Sequence, residues 1–253
     1  MSNPIPAPLF VLVSACTPLE GVTELEPWQA ESKEAVLDAY GASRLNDLAP
    51  FAVLQYAYRD AQEGDCPELA ESDGSLEIST QGCTSTSGFT WSGDAHVTFT
   101  GPDDEDWAVR FDAFELVAER GGEVHRYALH GISSVEQTDG VNQYEHALDY
   151  EESGAYDGEP YAIAGYWDRS VSGSWDAYRV RSDVGLRASL EGVTGQLRLD
   201  EDLDYGDDDC IHEPDGRSTL TGATIATLDW TIASCDGCAE VSLDGDDEGT
   251  ACW

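Results

Sequence analysis

The chain has 253 residues, 51 acidic against 12 basic, for a net charge of −39, and hydrophobic residues make up 41% of it. Such a balance excludes nucleic acid as a partner, because affinity for a phosphate backbone rests on Lys and Arg, and it repels anionic lipid headgroups. It leaves enough apolar sequence for a core and favours a soluble monomer, strained by self-repulsion that salt screens.

In chain order the first element is an apolar run, Ala7 to Ala15, closed by Cys16. It is far shorter than the roughly 20 residues that span a bilayer. Val13-Ser14-Ala15-Cys16 resembles the lipobox of bacterial lipoproteins, in which small residues precede a cysteine that is cleaved at and lipidated. The resemblance implies a signal peptide over 1–15, an acylated Cys16 and a polar tether over 16–27. Thr17, rather than Asp, follows the cysteine, which in Gram-negative lipoproteins implies sorting to the outer membrane of the cell envelope. Two or more acyl chains hold a protein stably where one binds marginally, so membrane contact is expected through the lipid anchor alone. The alternative is a buried N-terminal strand carrying a free cysteine.

The remainder, 28–253, reads as one disulfide-stapled β-rich domain with a helical N-terminal part over 28–62. Trp28 to Tyr40 is rich in Ala, Glu and Leu, with Gly41 placed to cap its C-terminus. Pro50 to Ala61 carries Phe51, Leu54, Tyr58 and Ala61 at helical spacing, as a core-facing stripe requires.

From Ser75 onward turn dipeptides such as Asp73-Gly74, Gly121-Gly122, Asp139-Gly140 and Asp244-Gly245 separate short segments rich in aromatic and β-branched residues. Several alternate, as in Tyr144, His146, Leu148, Tyr150 and in Leu228, Trp230, Ile232. Alternation marks strands with one solvated face, which antiparallel sheets allow. The fold class is therefore mainly β: an antiparallel meander of about ten to twelve strands forming a barrel-like or sandwich sheet, with two short N-terminal helices.

Six cysteines remain after Cys16, an even number that reads as a disulfide set in an exported chain. Cys66 and Cys83 flank Asp73-Gly74, and Cys238 and Cys252 flank Asp244-Gly245-Asp246, so each pair is placed to close a hairpin. Cys210–Cys235 follows by elimination. In a reducing compartment the same atoms have another use. Cys210, His212, Cys235 and Cys238 have zinc-ligand spacing, and Cys235-Asp-Gly-Cys238 has that of a redox dithiol.

Catalytic and cofactor signatures are missing: there is no G-x-S-x-G, H-E-x-x-H, G-x-x-x-x-G-K-[ST] or G-x-G-x-x-G. Two acidic loops, Asp200 to Asp209 and Asp244 to Glu248, offer alternately spaced oxygen ligands for Ca²⁺, at Asp200, Asp202 and Asp204 and at Asp244, Asp246 and Glu248. Residues 161–199 hold five of the twelve basic residues. There Arg179 and Arg181 share a strand face, with Arg187 expected on the next strand. Cross-strand pairing with carboxylates is the simplest use of these arginines. With Trp167 and Trp175 they are also a candidate site for a small anionic or sugar ligand. His125 and His130 should face opposite sides of one strand, and His146 should be a packed residue.

The reading is an outer-membrane-anchored lipoprotein whose exported β domain binds a ligand or contacts a surface without catalysis. One alternative is a carbohydrate hydrolase using paired carboxylates. A second is a surface or adhesion module stabilised by Ca²⁺.

Overall fold

A computed structural model describes residues 25–44, 49–64, 66–100, 106–120, 122–138, 141–156, 158–174, 177–206, 214–231 and 237–252. The expected signal peptide over 1–15, Cys16 and most of the expected tether over 16–27 lie outside the described residues.

Two helices precede thirteen strands. Helix α1 spans Lys33–Ser43 and α2 spans Ala49–Glu63. The strands are β1 (Glu68–Ser72), β2 (Ser75–Thr84), β3 (Thr90–Thr100), β4 (Asp106–Arg120), β5 (Glu123–Thr138), β6 (Val141–Tyr156) and β7 (Glu159–Gly173), followed by β8 (Tyr178–Leu190), β9 (Val193–Tyr205), β10 (Pro214–Thr221), β11 (Ile225–Asp229), β12 (Cys238–Leu243) and β13 (Asp246–Cys252). All thirteen form one antiparallel sheet in sequence order, from β1 at one edge to β13 at the other. The sheet is therefore a meander, but it does not close, which corrects the barrel-like or sandwich expectation. The strand count exceeds ten to twelve because short edge strands such as β1, E-L-A-E-S, carry almost no apolar alternation.

One face of the sheet packs against the helices and forms the core; the other faces outward. The alternation is regular along β9, whose residues are buried and exposed by turns from Val193 to Tyr205. Helix α1 lies against β8, β9, β10, β12 and β13, and α2 against β1 and β2. Tyr40 packs against Trp230 at 5.7 Å between ring centroids, and Phe51 of α2 meets Trp107 edge-on at 4.8 Å. Helix α1 starts at Lys33, with the Ser32 hydroxyl accepting from the Ala35 N–H, and runs past Gly41 to Ser43. The expected start at Trp28 is displaced because residues 26–28 are extended and bonded to β9: Trp28 N donates to Gln196 O and Gln196 N to Glu26 O. Trp28 is buried, and two glycines make its seat. A Cβ on Gly195 would stand 2.6 Å from the Trp28 Cα, and one on Gly222 2.3 Å from its carbonyl oxygen.

Both edges are protected against further strand pairing. At β1 the protection is brevity and two glutamates, Glu68 and Glu71. At β13 the Lys33 ammonium donates to the Thr250 carbonyl at 2.7 Å. Disulfides staple both edge hairpins: Cys66–Cys83 at the first and Cys238–Cys252 at the last. Cys210 and Cys235 lie outside the described residues. Neither described helix is long and apolar enough to cross a membrane.

Candidate functional site

The inner face carries an unusual polar row. Ser133, His146, Arg169, Ser182, Glu201 and Ser218 are register partners across β5 to β10, each directly opposite the next. All six are buried. Arg169 Nη1 donates to Glu201 Oε1 at 2.6 Å and to the Ser182 hydroxyl at 2.7 Å, while Ser182 donates to the same carboxylate at 2.8 Å. The Tyr40 hydroxyl of α1 donates to Glu201 Oε2 at 3.2 Å, and the Trp230 indole to Ser218 at 3.2 Å. Burial first, and then the Glu201 charge, hold the Tyr40 phenol well above its ordinary value. His146 meets Ser133 at 3.0 Å through Nδ1 and stacks on Trp167 at 4.7 Å. These bonds are made within the interior, tying α1 to β9, and present no reactive atom to solvent.

A second carboxylate, Glu152, stands on the inner face nearer the β6–β7 turn. It accepts from the Tyr161 hydroxyl at 2.9 Å and from that of Tyr150. Burial, followed by the Glu152 charge, pushes both phenols above their ordinary value.

The outer face holds the arginines singled out from the sequence. Arg179 Nε donates to Asp202 at 2.6 Å, Arg181 Nε lies 3.5 Å from the same carboxylate, and Arg179 Nε is 3.7 Å from Asp204. Hydrogen bonding to Arg179 holds Asp202 below the usual carboxylate range. Arg187 lies on β8 with them, not on the next strand. Trp167 is on the opposite, inner face and 1% exposed, so the structure does not bring it to these arginines. Trp175 lies outside the described residues. His125 and His130 do face opposite sides of β5, and His146 is packed.

Asp200, Asp202 and Asp204 stand on a strand rather than a loop. Asp244, Asp246 and Glu248 belong to the β12–β13 hairpin, where Asp244 Oδ1 accepts from Ile225 N at 2.9 Å. Among the described residues, no group of three His, Cys, Asp or Glu side chains converges as a metal site. The bond from Cys238 to Cys252 removes one member from both the zinc set and the dithiol. Asp168, Asp183 and Asp200 are directly opposed across β7, β8 and β9. Arg198 grips the central one, Nε and Nη2 donating to Asp183 at 2.8 and 2.6 Å.

The chain matches no family model, no curated protein and no solved structure. Its site must be argued from its own geometry.

That geometry favours a cleft on the outer face at β2–β5, about 430 Å³ in volume, which sequence reasoning missed. Glu77, His96, Arg110 and Ile132 form one cross-strand row through it, with Asp94 opposite Asp112 in the row beside it. Ala108 also lines it, whereas Ala95 and Val109 beneath it are fully buried and belong to the core. One bulge accompanies the hollow: β4 takes three residue steps against two of β3, between Asp112 and Glu115, and three against two of β5, between Phe111 and Phe114, and a bulge bends the strand that carries it. Gly93 and Ala113 adopt left-handed φ of 79° and 48°. A Cβ on Gly93 would stand 2.1 Å from the Ala113 carbonyl oxygen, so the β4 bulge requires glycine opposite it on β3. Arg110 Nη2 bonds Asp112 at 2.9 Å. The only sequence signal was polar alternation, D-A-H over 94–96 and R-F-D over 110–112, which any solvated strand face shares.

Proposed function

We propose that this chain is an exported lipoprotein, anchored at the outer membrane through an acylated Cys16, whose sheet binds a ligand or contacts a surface without catalysing a reaction. The observation that carries the reading is the pair of disulfides at the two edges of the sheet, since such bonds persist in oxidising compartments and are rare in the cytosol. The lipobox-like Val13-Ser14-Ala15-Cys16 supplies the anchor. The absence of catalysis is supported by the inner polar row, where Arg169, Ser182, Tyr40 and Glu201 are spent on one another. The outer face supplies the contact surface. A hydrolase would need two carboxylates across a cleft that grips a sugar, and no Phe, Tyr or Trp is among the residues lining the β2–β5 cleft.

The test is metabolic labelling with an alkyne fatty acid in a Gram-negative host, for wild type and Cys16→Ser. Wild type should take up label and sediment with outer membranes, and the variant should do neither. Equal behaviour of the two, unlabelled and in the cytosol, would overturn the reading.

A further inference from the structure

We infer that the end of the sheet carrying the β8–β9 and β10–β11 turns is the surface that faces the bilayer, with the opposite end held away from it; this rests on the anchored reading above and adds which surface meets the membrane. The first support is the course of the segment ahead of α1. Pro27 makes a parallel bridge with Gln196, and the Leu25 and Glu26 carbonyls accept from the side-chain and backbone N–H of Gln196. Because the bridge is parallel, the chain traced back from Leu25 toward Cys16 points to the start of β9 and the β8–β9 turn. The same segment is fixed to the β10–β11 turn beside it. There Ala223 N donates to the Trp28 carbonyl at 2.7 Å, and the Thr224 hydroxyl accepts from Ala30 N at 3.3 Å.

Reach is the second support. From Cys16 to Leu25 is nine residue steps, at most about 32 Å when fully extended. From Gln196 to Tyr205, at the far end of β9, is nine steps as well, about 30 Å along a strand. A tether anchored at Cys16 would be exhausted in reaching the far end, with nothing left to meet the bilayer. Charge is the third. The six turns at the near end, from β2–β3 to β12–β13, hold three acidic residues, Asp157, Glu191 and Asp244. The six connections at the far end hold eleven, seven of them in 101–105 and 206–213, and neither set holds Lys or Arg. Anionic headgroups therefore repel the far end more strongly, over the screening length of about 8 Å that physiological salt leaves. Standing on its near end, the sheet keeps its outer face clear of the lipid, as a contact surface requires.

The test uses protein extracted from outer membranes and reconstituted in phosphatidylethanolamine–phosphatidylglycerol vesicles whose headgroups carry an energy-transfer acceptor. A fluorescent amino acid is introduced, one position at a time, at Glu191 or Ala223 of the near end and at Ser174 or Asp215 of the far end, all exposed. The length of β8, Tyr178–Leu190, sets the two ends about 40 Å apart. Transfer should be efficient from Glu191 and Ala223 and largely lost from Ser174 and Asp215. Gly222→Ala, which puts a methyl against the Trp28 backbone, should release the segment over 25–32 and level the signals of Glu191 and Ser174. Equal transfer from both ends without that substitution, or stronger transfer from the far end, overturns the inference. A contrast that survives release of the segment, read by its tryptophan emission, overturns it too. Intact mass on the same sample separates the two failures. An unacylated Cys16 sinks the anchored reading and this one together, whereas acylated protein with equal transfer sinks this one alone.

Discussion

Arg169 and Glu201 stand on strands that are not neighbours, yet guanidinium and carboxylate meet at 2.6 Å, with Ser182 of the intervening strand bonded to both. Their side chains are 4% and 0% exposed. Breaking a buried pair from one side leaves an uncompensated charge and costs about 3–5 kcal/mol, whereas a well-packed apolar replacement of both partners is often neutral. Arg169→Met and Glu201→Leu should each lower the free energy of unfolding by about that amount. The double variant should lose much less than the sum. Denaturant unfolding of the four proteins in a double-mutant cycle measures this.

Asp60 ties α2 to the sheet. Its carboxylate is 1% exposed and accepts from Ser85 and Ser87 at 2.7 Å and from the Trp91 indole at 3.0 Å. Burial alone would raise its pKa, but the bonds from Ser85, Ser87, Trp91 and Arg59 outweigh it and hold the group below the usual aspartate range. A depressed folded pKa contributes stability that is present above the unfolded value, about 3.9, and is lost as pH falls through the folded one. Asp60→Asn should therefore flatten the acid limb of the stability profile. Asp60→Ala should cost about 1–3 kcal/mol for each buried donor left unpaired. Thermal melts between neutral and acid pH read both effects.

The two described disulfides close segments with sequence separations of 17 and 14 residues. Loop-closure entropy at such lengths gives about 3 kcal/mol each. Cys66→Ala/Cys83→Ala and Cys238→Ala/Cys252→Ala should each lower the melting temperature, and reductant should destabilise wild type more than either variant. Calorimetry with and without reductant checks it.

The seat of Trp28 predicts a local failure. Gly195→Ala or Gly222→Ala places a methyl against the Trp28 backbone; forcing extra atoms into a packed site costs about 1–3 kcal/mol. The N-terminal segment should come away from β9, red-shifting tryptophan emission and opening residues 25–32 to proteases while the sheet survives. Unchanged emission and protease resistance would argue against the seat.

A net charge of −39 should make stability rise with salt. The screening length falls from about 10 Å at 0.1 M to about 3 Å at 1 M, which reduces repulsion between pairs such as Asp168 and Asp200 across β8. The melting temperature should climb steadily with sodium chloride over that range. A flat or falling curve would mean that ion pairs, not repulsion, dominate the surface.

Sequence alone made the sheet, its antiparallel meander and both helices legible, because alternation and turn chemistry are local. Tyr144, His146, Leu148 and Tyr150 declared their common face without any partner strand in view, and the cysteines flanking Asp73-Gly74 and Asp244-Gly245 declared their hairpins. Cross-strand register was not legible. Nothing near Arg169 in sequence points to Glu201, and Glu77, His96 and Arg110 become neighbours only once β2, β3 and β4 are aligned past one bulge in β2 and one in β4. Arg187 lies one strand earlier than its sequence suggests, because the turn at Glu191-Gly192, rather than one before it, ends β8. Trp167 and the arginines Arg179 and Arg181 are near in sequence but lie on different strands, and odd and even positions share a face only within one strand.

The most direct test of the anchored, exported reading is the intact mass of protein extracted from native membranes, taken before and after reduction. The account predicts a chain beginning at Cys16 and carrying acyl groups. Reduction should add four hydrogens for the two described bridges, and six with Cys210 and Cys235 also joined. A full-length, unacylated chain from Met1 that gains no hydrogens on reduction would contradict both the anchor and the compartment.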